Sequence, residues 1–85
     1  MKIPIQMPEI DATIPVVSLW LASEGDFLLQ GDRLIEIMAG SATFDVPAPR
    51  SGYLSARLCL KNDLVTAGQI LGYIEIEGNG ELSRE

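Results

Sequence analysis

The sequence predicts an all-β domain, a sandwich or barrel of short strands. Three observations predict it. Apolar and polar residues alternate with period 2 in two long runs, turn residues interrupt the chain roughly every 6–12 residues, and the second half repeats the first at an offset of 37. No stretch has helical periodicity, and Leu28-Leu29-Gln30 reads as a loop turn at most.

Taken in chain order, Met1 to Pro8 is an extended start broken by Pro4 and Pro8, too short and too interrupted for a secretory core. Val17, Leu19 and Leu21 alternate with Val16, Ser18, Trp20 and Ala22, which predicts a half-buried strand with Val17, Leu19 and Leu21 on its apolar face. Glu24-Gly25-Asp26 and Gln30-Gly31-Asp32 are turns. Arg33 to Met38 is apolar on both faces in places, as sandwich strands are. Ala39-Gly40-Ser41 reads as a tight hairpin tip leading into a strand near Thr43. Pro47 to Gly52 fixes a rigid corner, since proline locks φ and donates no hydrogen bond. Leu54, Ala56, Leu58 and Leu60 alternate with Tyr53, Ser55, Arg57 and Cys59 in a second half-buried strand. Turns at Lys61-Asn62-Asp63 and Ala67-Gly68-Gln69 lead into a last strand, Ile70 to Ile76. The domain is expected to span 1–77, with 78–85 a polar, Gly-bearing tail or the start of a linker.

The repeat is gapless from about residue 17 to 37. Ser18/Ser55, Leu21/Leu58, Asp26/Asp63, Gly31/Gly68, Leu34/Leu71 and Ile37/Ile74 are identities. The Gly25/Asn62 pair predicts a left-handed backbone position before an Asp in both halves, because glycine enters that region freely and asparagine tolerates it best among the rest. Asp26 and Asp63 are expected to bond nearby backbone N–H groups in these turns. The two halves are expected to pack face to face about a pseudo-twofold, since neither set of strands is large enough to stand alone.

Composition narrows function. The chain has 85 residues, no His and one Cys. That excludes His-based acid/base catalysis, Ser-His and Cys-His pairs, Cys/His zinc sites and an internal disulfide. No catalytic set is present, so the domain is read as non-enzymatic. A net charge of −6 speaks against nucleic acid, which demands a basic patch. The longest nearly apolar run, Ile14 to Ala22, falls short of the ~18 residues of a membrane span. A cytoplasmic domain, monomeric in isolation, is expected. Glu75, Glu77 and Glu81 read as a solvated strand end rather than a cation site. Trp20, with Arg57 as its repeat mate, is a candidate partly exposed contact. The lysines are Lys2 and Lys61 alone.

Five segments carry a resemblance to a known family. Met7-Pro8-Glu9-Ile10 resembles an opening "MPxLG", with Asp11 at the glycine position. Trp20 to Asp26 resembles "WxxxEGD", and Gly31 to Ile37 "GDxLxEV". Ala42 to Gly52 resembles "ATxEVPAPxSG". Asp63-Leu64-Val65 with Gly68-Gln69-Ile70-Leu71 resembles "DxVxxGQxL". Over about Ile3 to Ile76 the chain is similar to the lipoyl-type domains of the biotinyl/lipoyl attachment family, the swinging-arm carriers of 2-oxo acid dehydrogenase complexes. The resemblance implies a flattened barrel or sandwich of two four-stranded sheets. It implies an acyltransferase component as parent and the components of such a complex as partners. It places the family's Asp-Lys-Ala attachment turn on Gly40, Ser41 and Ala42. Ser41 therefore stands at the lipoyl-lysine position, and a hydroxyl cannot form the amide that lysine gives lipoic acid. A β-hairpin is also unlike the helical setting of a phosphopantetheine serine. The expectation is an unmodified domain without lipoic acid, acting as an interaction or spacer module or a decayed carrier. An alternative is the lipoyl-like module of a membrane-fusion (export) adaptor, where a long helical hairpin usually interrupts this turn.

Overall fold

A computed structural model of the chain describes residues 1–10 and 14–76, and every strand in it is antiparallel to its neighbours. The strands are β1 (Lys2–Gln6), β2 (Val16–Trp20), β3 (Phe27–Leu28), β4 (Arg33–Ala39), β5 (Ala42–Pro47), β6 (Gly52–Arg57) and β7 (Ile70–Glu75). One sheet runs β1-β7-β6-β3 and the other β2-β4-β5. No helix occurs among the described residues. The expected fourth strand of the second sheet is reduced to one bridge, Leu64 to Val16. Leu64 is the repeat mate of Phe27, which opens the two-residue β3, so the sheets match strand for strand and do not close into a barrel.

The pseudo-twofold is written in the backbone hydrogen bonds. Gly25 N–H donates to Leu54 O and Leu54 N–H to Asp26 O. Their mates repeat the pair, Asn62 N–H to Val17 O and Val17 N–H to Asp63 O. Gly31 N–H donates to Ala48 O as Gly68 N–H does to Met7 O. Gly25 has φ +96 and Asn62 φ +76, so the left-handed position is present in both halves. Asp26 Oδ2 accepts from Ser23 N–H and Asp63 Oδ2 from Leu60 N–H, each holding its own turn.

The core lies between the sheets, and Val17, Leu34, Ile35, Ile37, Leu54, Leu71 and Ile74 have no exposed surface. The expected apolar faces are corrected by β-bulges. Pairing slips between Val17 and Leu19 on β2 and between Leu54 and Ala56 on β6, leaving Ser18 and Ser55 as the extra residues. A one-residue slip flips every later side chain. Leu19, Leu21, Leu58 and Leu60 are therefore exposed rather than buried, and Trp20 turns inward against the core. A second mated pair of bulges, at Leu34 and Leu71, explains how Leu34 and Ile35 are both buried in succession. The tail expected over 78–85, with Glu77, Glu81 and Asp11, lies outside the described residues.

Candidate functional site

The β4–β5 hairpin is closed by the Ala39–Ala42 pair, with Gly40 and Ser41 as its two-residue loop. Gly40 has φ +64, while Ser41 is on the ordinary negative-φ side. Glycine first and a normal residue second is the pattern of a type II′ hairpin turn, which matches the right-handed twist of the flanking strands. Gly40, Ser41 and Ala42 are all exposed. The Ser41 hydroxyl makes no hydrogen bond to any described residue. The three candidate site residues thus sit together, at the apex of a rigid hairpin.

Pseudo-symmetry fixes where that apex points. Trp20 and Arg57 are repeat mates and touch, the Arg57 guanidinium carbon lying 5.8 Å from the indole centroid. The twofold therefore passes between them. The mate of Ala39 is Ile76, so the hairpin tip and the point where the chain leaves β7 lie on opposite sides of the axis. Ile76 N–H donates to Met1 O at 2.9 Å, as a closing strand pair would. Trp20 is less a free surface anchor than a clamp, because its Nε1–H donates to Cys59 O at 2.8 Å.

The chemistry available at the tip is limited. No buried polar or charged side chain and no cluster of three potential metal ligands occurs among the described residues. Burial, with Asp63 nearby, pushes the Cys59 thiol up from its ordinary range, so it is a poor nucleophile at neutral pH. Lys2 lies on β1 opposite Glu75, at the far end of the sandwich from the hairpin. Lys61 is closer than its place in the sequence indicates. Its turn is tied to β2 through Asn62 and Val17, on the hairpin's side of the axis. The pairing of the two repeats was the signal that could have revealed this. An amide-linked arm requires a primary amine, and the hairpin bears none, so its residues do not fit such a group.

The biotin/lipoyl family, described as "Biotin-requiring enzyme", matches residues 3–74. The dihydrolipoyllysine-residue succinyltransferase component of the 2-oxoglutarate dehydrogenase complex of Bacillus subtilis is 35% identical over 93% of this chain and 19% of its own length. The lipoamide acyltransferase component of the branched-chain alpha-keto acid dehydrogenase complex of Pseudomonas putida is 32% identical over 89% of this chain and 18% of its own. The chain thus spans about a fifth of the curated relatives it matches. In fold, the solution structure of the lipoyl domain of the Azotobacter vinelandii 2-oxoglutarate dehydrogenase complex superposes with a TM-score of 0.72. It covers 89% of this chain and 99% of that one, at 20% identity.

Proposed function

The chain belongs to the biotin/lipoyl family, and on that premise we propose that it is a lipoyl-type module that carries no lipoyl group and serves as an interaction or spacer module, or as a decayed carrier. Lipoyl-type domains of the kind found in 2-oxo acid dehydrogenase acyltransferases are carriers and not themselves catalytic. The observation that carries the proposal is Ser41 at the exposed tip of the Gly40–Ser41 turn. Support for it comes from the exposure of that tip and from a residue there that has no amine. From Ile3 to Leu60 the sequence has no lysine.

The rest of the reading follows from the family. The parent is an acyltransferase component of a 2-oxo acid dehydrogenase-type complex or a diverged relative, and its partners are components of that complex. The module spans 1–77, with 78–85 leading into a linker. By the same family reading it works in the cytoplasm. No helix among the described residues is long and apolar enough to cross a membrane. The export-adaptor reading draws no support, since two residues close the hairpin where that class carries a helical insertion.

The test is intact-mass measurement after expression with lipoate and its ligase, repeated with biotin and biotin ligase. The expected result is the unmodified mass in both. An adduct mapped to Lys61, Lys2 or any other residue overturns the non-carrier assignment.

A further inference from the structure

The two ends of the sandwich carry outward-facing rows of side chains that are mates under the pseudo-twofold. At the end away from the hairpin, Lys2 lies opposite Glu75, Glu75 opposite Tyr53, and Tyr53 opposite Phe27. At the hairpin end the mated row is Thr43, Met38, Val16 and Leu64. Directly opposed residues on neighbouring strands share one face of a sheet. Val17 and Ile37, the next residues along β2 and β4, are fully buried, so this row faces solvent. Where the far row has an ammonium and a carboxylate, the hairpin row has Thr43 and Met38. Met38 is 42% exposed and Leu64 63%, and Ile14, two residues before Val16, is 66% exposed.

The next row inward is different. Leu19, Glu36 and Asp45 are aligned across β2, β4 and β5. Arg33 reaches Asp45 at 3.3 Å, and Glu36 has no ion-pair partner among the described residues. The face is thus an aliphatic row with an acidic row beside it, on a chain of net charge −6. Contiguous exposed apolar residues rimmed by polar ones mark contact surfaces, and Leu64, Val16 and Met38 are contiguous across their paired strands.

We propose that this face docks a segment of a partner protein that offers an apolar stripe edged by Lys or Arg. The stripe lies on Leu64, Val16 and Met38, and a cation at its edge meets Glu36, beside the Arg33–Asp45 pair. The inference rests on the interaction-module reading and supplies the chemistry of its partner. A second copy of the chain is the poorer occupant. Two copies would bring like charges of −6 together. Opposite charge at the edge sets register and on-rate, while the apolar row supplies the contact area.

The experiment is an NMR titration of the full, isotope-labelled chain with a synthetic helical peptide that has a leucine stripe flanked by lysines. A second peptide keeps the stripe and replaces the lysines with glutamates. The expected result is shift changes centred on Val16, Leu19, Glu36, Met38 and Leu64 with the lysine peptide and none with the glutamate peptide. Glu36→Lys is expected to weaken binding about tenfold. Met38→Glu is a second variant, and the wild-type map stands whether or not either variant folds. Changes centred on Lys2, Phe27, Tyr53 and Glu75, equal binding of both peptides, or self-association through this face without peptide overturns the proposal. The mass measurement above is independent: a lipoyl adduct with an intact binding map removes the non-carrier reading alone, and a flat map without an adduct removes this one alone.

Discussion

Ser41 and Gly40 differ in what they allow. Ser41 is exposed, has an ordinary backbone and holds no described partner, so Ser41→Lys is expected to fold like the parent and to present an amine at the hairpin tip. Restoring the family's Asp at position 40 as well puts a side chain at φ +64, a region that costs a non-glycine residue about 1 kcal/mol even when it is as tolerant as Asp. The single variant is therefore expected to accept a lipoyl group from the ligase, and adding Gly40→Asp is expected to lower stability by about that amount in urea denaturation. A single variant that folds and stays unmodified shows that more than the acceptor has changed. Cys59 is a buried free thiol whose backbone carbonyl accepts the Trp20 Nε1–H bond. Its thiol is held above the ordinary range by burial and by Asp63. The native state then prefers the protonated form, so its stabilising share is full below the unfolded thiol pKa and is lost as pH rises through and beyond it. Thiol-reagent kinetics check this: at pH 8 labelling is expected to track unfolding, and fast labelling of the native chain contradicts it.

At the scale of elements, the bulges decide which side chains meet. Gly72 on β7 is the repeat mate of Ile35 on β4, yet the two positions have opposite needs. A Cβ at Gly72 would run into the backbone oxygen of Ala56 and crowd the Trp20 ring. Gly72→Ala is expected to cost about 1–3 kcal/mol by overpacking, with a blue- or red-shifted Trp20 fluorescence reporting the displaced indole. An unchanged urea midpoint would show that the sheet gives way without penalty. The same bulges mark where the sequence stops being legible. The turns were readable because Gly25, Asn62, Gly31 and Gly68 need positive φ, and residue type declares that need. A bulge makes no such demand on a side chain. Simple alternation therefore assigned Leu19 and Leu58 to the core, although each follows an extra residue and faces water. The identity of Ser18 and Ser55 in the repeat was the one trace of it. Of the site, the tip was legible from Ala39 to Ala42. The aliphatic row beside it was not, because Leu64 joins Val16 by a single bridge across 48 positions of sequence.

For the molecule as a whole, the repeat makes one junction equivalent to another. β4 passes to β5 through Gly40-Ser41, and the mated passage would join β7 to β1. The ends of that passage are already in place: Ile76 N–H donates to Met1 O, and Lys2 lies opposite Glu75 as Thr43 lies opposite Met38. One passage is a covalent turn and the other an open seam, so exchanging them changes no strand pair. A circular permutant that begins at Ser41, replaces residues 77–85 with a Gly-Ser link from Ile76 to Met1, and ends at Gly40 tests this. It is expected to keep the β-sheet circular dichroism and the strand-pair contacts of the parent, apart from the Ala39–Ala42 and Thr43–Met38 pairs at its new ends. Its stability is expected to stay within about 1–2 kcal/mol, because one short loop closure is traded for another of similar length. Opening the chain at Gly40–Ser41 also frays Ala39–Ala42 and the Thr43–Met38 pair next to it. The permutant should then lose affinity for the lysine-edged peptide while its far row is undisturbed. A permutant that fails to fold would show that the hairpin turn, and not the symmetry of the two halves, organises the sandwich.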